Sequence, residues 1–123
     1  MKSILIVDDS RTTREYHASI VASAGHKVVS ASDGAEGLER LLEGRCDLVL
    51  TDINMKGMDG YEFIRRIRER PECDDVPIVI VSTEAQESDR LKGLRLGANL
   101  YIVKPSPPET LLAHVAMMLG GAP

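Results

Sequence analysis

Residues 48–52 read Leu-Val-Leu-Thr-Asp, an apolar run that ends abruptly in a carboxylate. A run at residues 4–7 ends in the same way, in Asp8 and Asp9. Near-continuous apolar runs of this length are typical of strands that are covered on both faces of a sheet. If the two strands are neighbours, the three carboxylates meet at one edge of that sheet. Their oxygens suit a hard divalent cation, and Mg2+ is the natural candidate.

The pattern of short apolar runs continues along the chain. Three more runs lie at residues 28–30, 78–81 and 100–103. Helix start and stop signals lie between the runs and predict helices at residues 11–24, 33–44, 59–70 and about 86–96. A last helix is predicted with Ser106 as its N-cap and Pro107 in its first position. Strand and helix therefore alternate five times, and this predicts an α/β fold with a parallel sheet and right-handed crossovers. The run at 28–30 is the shortest and is expected near an edge.

Parallel sheets of this kind bind ligands at the carboxyl ends of their strands. Ser82 follows the fourth run and Lys104 follows the fifth, so polar residues from four strands converge there. We predict that Asp52 is a nucleophile that accepts a phosphoryl group, since carboxylates form such acyl phosphates. Lys104 would pair with the carboxylates and bind a phosphate oxygen, and its bond to the following proline is hypothesised to be cis. Ser82 would donate a hydroxyl hydrogen bond to the phosphate, with Thr83 as the alternative.

Composition excludes several other classes of protein. The formal charge is -4 over 123 residues and the basic residues are scattered, so no surface for nucleic acid is predicted. No apolar run is long enough for a membrane span. Cys46 and Cys73 lack metal-type or redox-type spacing, and we interpret them as reduced thiols of a cytoplasmic protein. The three histidines, His17, His26 and His114, share no ligand spacing, and no metal or catalytic role is expected for them.

The motifs together resemble the receiver domain of two-component response regulators, in particular the stand-alone, CheY-like chemotaxis type. The stretches that carry the resemblance are Ile-Val-Asp-Asp-Ser at 6–10, Leu-Thr-Asp-Ile-Asn-Met at 50–55, Met-Asp-Gly at 58–60, Ser-Thr-Glu-Ala at 82–85 and Gly-Ala-Asn-Leu-Tyr-Ile-Val-Lys-Pro at 97–105. The resemblance covers essentially the whole chain. It implies a flavodoxin-like (βα)5 three-layer sandwich with strand order 2-1-3-4-5. Residues 1–120 would form the receiver domain and 121–123 a short tail.

The resemblance also implies a mechanism. A histidine kinase would donate a phosphoryl group to Asp52, with Mg2+ bound by Asp9, Asp52 and the backbone carbonyl of Asn54, and by Asp8 through water. Ser82 and Tyr101 would form a switch pair that reshapes the face of the fourth helix, fifth strand and fifth helix. Asn54 and Glu84 would set the lifetime of the phosphoryl group, which we expect to be short. Such a protein is a phosphoacceptor with its own autophosphorylation and autodephosphorylation, and is not otherwise an enzyme.

Three residues depart from the family pattern. Lys56 stands where proline is frequent, Ser106 where phenylalanine is frequent, and Ile53 where the chemotaxis regulator has tryptophan. Because only residues 120–123 follow the last predicted helix, we expect no output domain, although a chain cut from a larger protein would look the same. Docking to another protein is then the expected output, for example to a flagellar motor switch or another effector. Charged residues of the fourth helix, Glu87, Arg90 and Lys92, are candidate contacts. A monomer is expected, and dimerisation on activation stays open.

Alternative functions share part of this pattern. A phosphate sink, a phosphorelay shuttle and a phosphorylation-independent docking module all remain open. A haloacid-dehalogenase-like phosphatase would need a second aspartate where Asn54 stands. A flavodoxin would need a glycine-containing phosphate loop after the first strand, and residues 10–13 contain no glycine.

Overall fold

Each of the five apolar runs forms a strand, and a helix follows each strand. The computed structural model describes residues 1–120, and the predicted tail at 121–123 lies outside them. The elements are β1 (Ser3–Val7), α1 (Arg11–Ser23), β2 (Lys27–Ala31), α2 (Gly34–Glu43), β3 (Leu48–Thr51), α3 (Gly60–Arg68), a short 3-10 helix (Pro71–Cys73), β4 (Ile78–Ser82), α4 (Glu87–Leu96), β5 (Leu100–Val103) and α5 (Pro108–Met118). All strand pairs are parallel, in the order β2-β1-β3-β4-β5. The predicted flavodoxin-like architecture is confirmed.

Alternation of side chains along the buried strands creates two cores. In β1, Ile4 and Ile6 face one layer, and Leu5 and Val7 face the other. The first layer packs against residues of α1 and α5, and the second against residues of α2 and α3. Because β1, β3 and β4 are covered on both sides, their sequences are continuously apolar and lack the polar alternation of half-exposed strands.

The predicted helix starts at Ser10, Asp33 and Asp59 are present. The side chain of Ser10 accepts a hydrogen bond from the backbone N–H of Thr13 at 3.3 Å. Asp33 and Asp59 accept from the N–H groups three residues later, at 2.8 and 2.9 Å. These side chains satisfy N–H groups that the first turn of a helix leaves unpaired.

The predicted start of the last helix is wrong by one residue. Pro107 is the N-cap, with ψ 146°, and the helix begins at Pro108. A residue that precedes proline is disfavoured in the helical region, so Pro108 keeps Pro107 extended. Ser106 therefore caps nothing, and its buried Oγ has no hydrogen-bond partner among the described residues.

Strand register brings the polar strand ends to one edge of the sheet. Val7 is paired with Thr51, and Ser82 with Val103, so the residues that follow them are neighbours. The backbone N–H of Asp52 donates to the carbonyl of Val7 at 3.0 Å, and that of Lys104 to the carbonyl of Ser82 at 2.8 Å. β2 lies at the sheet edge, as its short run predicted. No helix in residues 1–120 is long and apolar enough to cross a membrane.

Candidate functional site

Three carboxylates meet at the carboxyl edge of the sheet. One oxygen from each of Asp8, Asp9 and Asp52 lies within 4.8 Å of the others. Asp8 is buried, Asp52 is half-buried and Asp9 is exposed. Gathering three negative charges is unfavourable without a cation, and carboxylate oxygens are the ligands that Mg2+ takes in proteins. The donor chemistry of this cluster therefore fits Mg2+.

A largely buried ammonium group already compensates part of this charge. Lys104 Nζ lies 3.1 Å from Oδ2 of Asp8 and 3.2 Å from Oδ2 of Asp52. The lysine side chain is 13% exposed, and the aspartate side chains are 4% and 12% exposed. The bond from Lys104 to Pro105 is cis, as hypothesised from the sequence. The ion pair expected between Lys104 and the carboxylates is present.

Backbone N–H groups orient both carboxylates that face the ammonium. The N–H of Ser10 donates to Oδ1 of Asp8 at 2.9 Å, and the N–H of Ile53 donates to Oδ1 of Asp52 at 2.7 Å. In each aspartate the other oxygen, Oδ2, faces Lys104. Two of the three carboxylates are thus oriented by backbone N–H groups one or two residues further along the chain.

The hydroxyl of Ser82 is held inside the protein. Ser82 is fully buried, and its Oγ accepts a hydrogen bond from the backbone N–H of Glu84 at 3.2 Å. Thr83, the alternative considered from the sequence, is exposed. In this conformation the Ser82 hydroxyl is engaged with its own loop, so it would have to turn to reach a group on Asp52.

Glu84 connects two of the other predicted site residues. Its side-chain Oε1 accepts a 2.9 Å hydrogen bond from Nδ2 of Asn54, and its backbone carbonyl accepts a 2.7 Å hydrogen bond from the hydroxyl of Tyr101. Burial raises the pKa of Tyr101, which keeps this hydroxyl protonated and able to donate. The two lifetime positions predicted from the sequence are therefore in direct contact.

Two residues near the site were not anticipated. Arg14 donates from Nη1 to the backbone carbonyl of Asp8 at 2.7 Å. His17 is 5% exposed and lines the same narrow crevice as Asp8 and Asp52. Burial lowers the pKa of His17, and the positive charge of Lys104 lowers it further. The signal for His17 was its spacing of three and four residues from the buried Ile20 and Val21 on α1, which puts it on the inner face of that helix.

The family pattern of the response regulator receiver domain matches residues 4–116. The doubly wound parallel sheet and the acidic cluster at its carboxyl edge define a protein of the CheY-like α/β class. The chain belongs to the response regulator receiver domain family.

Individual relatives agree with this assignment. The chain is 37% identical over 121 residues to the protein PilH of Pseudomonas aeruginosa, across 98% of this chain and 100% of PilH. It is also 37% identical over 111 residues to the gliding motility regulatory protein of Myxococcus xanthus, across 90% of this chain but 14% of that protein. It therefore corresponds to the whole of PilH and to a small part of the Myxococcus protein.

Solved structures share the complete fold. Chemotaxis protein CheY4 of Vibrio cholerae superposes with a TM-score of 0.92 at 34% identity, covering 96% of this chain and 98% of that chain. The receiver domain of the sensor histidine kinase PA1611 from Pseudomonas aeruginosa PAO1 has a TM-score of 0.90 at 28% identity, covering 98% of both chains. That structure has a magnesium ion coordinated in its active site cleft. Membership of this family implies a signalling role between a histidine kinase and a downstream target.

Proposed function

We propose that this protein is a single-domain response regulator in which Asp52 accepts a phosphoryl group from a histidine kinase. The observation that carries the proposal is the position of Lys104, whose ammonium lies between the carboxylates of Asp8 and Asp52. A structural ion pair needs one carboxylate, whereas this ammonium faces two, with that of Asp9 close to both. The excess of negative charge suits a site that also takes a divalent cation.

The proposed transfer uses the side chains as they are arranged. A carboxylate oxygen of Asp52 attacks phosphorus and forms a P–O bond, and the P–N bond to the histidine of the kinase breaks with its electron pair left on the imidazole. The ammonium of Lys104 then binds an oxygen of the transferred group. Attack by water on phosphorus later returns the free carboxylate of Asp52 and inorganic phosphate.

Four groups of this chain would hold Mg2+. They are the carboxylates of Asp9 and Asp52, the backbone carbonyl of Asn54, and Asp8 acting through water. When bound, the ion would neutralise negative charge on the attacking carboxylate oxygen of Asp52 and on the oxygens of the phosphoryl group. Lys104 and the backbone N–H groups of Ser10 and Ile53 keep the carboxylates of Asp8 and Asp52 oriented before transfer.

The switch would run through Ser82 and Tyr101. If the Ser82 hydroxyl turns toward a phosphoryl group on Asp52, it gives up its contact with the N–H of Glu84. The carbonyl of Glu84 accepts the hydrogen bond from Tyr101, so a shift of this loop reaches the aromatic ring. The face made by α4, β5 and α5 would change shape as a result, and that face would bind the downstream protein.

Motility is the proposed setting. Two of the similar proteins are described as a gliding motility regulatory protein and a chemotaxis protein, which supports a chemotaxis or motility pathway and a target such as a flagellar motor switch. The free thiols of Cys46 and Cys73 fit the reducing environment of the cytoplasm. Residues 1–120 would act as one receiver domain that is monomeric before phosphorylation.

An intact-mass experiment with acetyl phosphate tests the proposal. Wild type and the control Asp33→Asn should each gain one phosphoryl group, in the presence of Mg2+ only. Asparagine is as good a helix cap as aspartate, so the control keeps its fold. Asp52→Asn should gain none. A folded wild type that gains no adduct would instead support the phosphorylation-independent docking module, and an adduct that persists for hours would contradict the short-lived state.

A further inference from the structure

The C-terminal end of α4 is firmly attached to α3. Arg68, the last residue of α3, donates from Nε and Nη2 to the carbonyl of Gly97 at 3.0 and 2.9 Å. Its Nη2 also donates to Oδ1 of Asn99 at 3.0 Å, and its Nη1 donates to the carbonyls of Cys73 and Asp74 at 3.1 Å. Charge-assisted hydrogen bonds are the stronger kind, so this end of α4 has little freedom to move.

A weaker contact holds the N-terminal half of α4 to the first turn of α3. The hydroxyl of Tyr61 donates to the backbone carbonyl of Asp89 at 3.3 Å and lies 3.5 Å from its carboxylate Oδ1. The ammonium of Lys92 lies 4.3 Å from the centre of the Tyr61 ring, within the range of a cation–π contact. Burial, followed by the charge of Asp89, raises the pKa of Tyr61 to about 12, so its hydroxyl remains a donor.

The first turn of α3 is in turn fixed to the backbone of the phosphoacceptor. The N–H of Gly60 donates to the carbonyl of Ile53 at 2.7 Å. Any Cβ at Gly60 would collide with the backbone carbonyl oxygen of Asp52, so the two segments approach as closely as glycine allows. A displacement of the backbone around Asp52 is therefore passed directly to the residue beside Gly60, which is Tyr61.

We propose that Tyr61 is a latch between α3 and the N-terminal half of α4, which opens when Asp52 is phosphorylated while Arg68 holds the other end as a pivot. The inference rests on the proposed function and adds a second route from Asp52 to α4, beside the pair Ser82 and Tyr101. The hydrogen bond from Tyr61 to Asp89 is long, and the ammonium of Lys92 on the Tyr61 ring is exposed to solvent. The N-terminal half of α4 is therefore expected to separate from α3 before the C-terminal end does. Tyr61 is a positioning residue and touches no reacting atom.

Amide hydrogen exchange of wild type and Tyr61→Phe tests the latch. The substitution removes the hydroxyl and keeps the ring under Lys92. Without phosphorylation, exchange at residues 90–93 should rise about two- to tenfold in the variant, the range expected for one net hydrogen bond. Exchange at residues 95–98 and in α5 should not change. Tyr16→Phe is the matched control. Tyr16 is exposed on α1, so this substitution removes the same hydroxyl from a helix other than α3 and α4.

Phosphorylation supplies the second arm, with the adduct followed by intact mass in the same samples. Phosphorylated wild type should exchange at residues 90–93 as fast as Tyr61→Phe, and phosphorylation should add little in the variant. Unchanged exchange in unphosphorylated Tyr61→Phe would overturn the latch, as would an equal rise throughout α4 and α5. If the amides of residues 90–93 exchange no faster in phosphorylated than in unphosphorylated wild type, the latch does not open on phosphorylation. A missing adduct would contradict the proposed function and, with it, the opening of the latch on phosphorylation. The contact between Tyr61 and α4 would still be decided by the first arm, which needs no phosphoryl group.

Discussion

The side-chain amide of Asn54 donates a 2.9 Å hydrogen bond to the carboxylate of Glu84, and this bond joins the loop after β3 to the loop after β4. Both loops lie at the edge of the sheet where Asp52 is found. Glu84 also accepts the hydrogen bond from Tyr101 through its backbone carbonyl. One residue thus connects the environment of Asp52, the proposed phosphoacceptor, with Tyr101, the aromatic residue of the proposed switch.

Breaking this hydrogen bond should speed hydrolysis of the phosphoryl group. Asn54→Ala and Glu84→Ala each open the gap between the two loops to water, and we expect each to raise the decay rate of the adduct about two- to tenfold. The double variant should decay like either single variant, because both changes remove one interaction. The decay is followed by intact mass after acetyl phosphate is removed, with exposed Thr83→Ala as the control. If the increase in decay rate in the double variant equals the product of the two single increases, the two side chains act independently, and the hydrogen bond between them does not explain the effect.

Removing the ammonium of Lys104 should destabilise the protein most when Mg2+ is absent. Lys104→Met leaves three carboxylates uncompensated, and we expect a loss of about 2–3 kcal/mol in the free energy of unfolding, somewhat below the cost at a fully buried pair. Saturating Mg2+ should reduce the loss, since it supplies positive charge at the same carboxylates. Urea unfolding with chelator and with Mg2+ measures both values. Lys56→Met, at an exposed lysine in the loop after β3, should change the free energy of unfolding neither with chelator nor with Mg2+. If Lys104→Met lowers the free energy of unfolding equally with chelator and with Mg2+, then Lys104 and Mg2+ do not act on the same carboxylates.

Gly93 should be required by packing inside α4. A Cβ at this position would collide with Cδ1 of Ile80, which is fully buried. Alanine would gain about 1 kcal/mol in helix propensity but cost about 1–3 kcal/mol through overpacking. We expect Gly93→Ala to lower the free energy of unfolding by about 1 kcal/mol overall. Ile80→Val removes Cδ1, so in the double variant the glycine substitution should become neutral or stabilising. Simple additivity of the two losses in thermal or urea unfolding would exclude this explanation.

His17 should make the protein sensitive to mild acid. Burial and the charge of Lys104 lower the pKa of His17 in the folded protein. In the unfolded chain the pKa of the imidazole is near its ordinary value of about 6.5. The unfolded state therefore takes up the proton first, and stability is lost as the pH falls below about 6.5. Urea midpoints above and below that pH should differ less in His17→Leu than in wild type. The same pH dependence in both proteins would assign it to other groups.

The strands and most helix starts could be predicted because they depend on local sequence. Continuous apolar runs mark β1, β3 and β4, and single capping residues mark α1, α2 and α3. The start of α5 differs from the prediction because of a local effect as well: Pro108 keeps Pro107 extended, and this outweighs the capping tendency of Ser106.

Contacts of Arg14, His17 and Tyr61 could not be predicted in the same way. Each depends on the angle and position at which a helix packs against another element, such as α1 beside the end of β1, which precedes it directly, or α3 beside α4. Their residue types give little warning, because arginine and tyrosine are common on helix surfaces and a single histidine has many roles. The carboxylates and Lys104 were predictable because parallel strands must end at a common edge.

Chemical mapping of the phosphorylated residue tests the central claim most directly. Borohydride reduces an aspartyl phosphate to homoserine, so protein treated with acetyl phosphate and Mg2+, then with borohydride, records the acceptor permanently. Peptide sequencing by mass spectrometry should find homoserine at position 52 alone, and none when Mg2+ is omitted. Homoserine at Asp8 or Asp9, or no conversion in protein that is folded and binds Mg2+, would contradict the assignment of Asp52 as the phosphoacceptor.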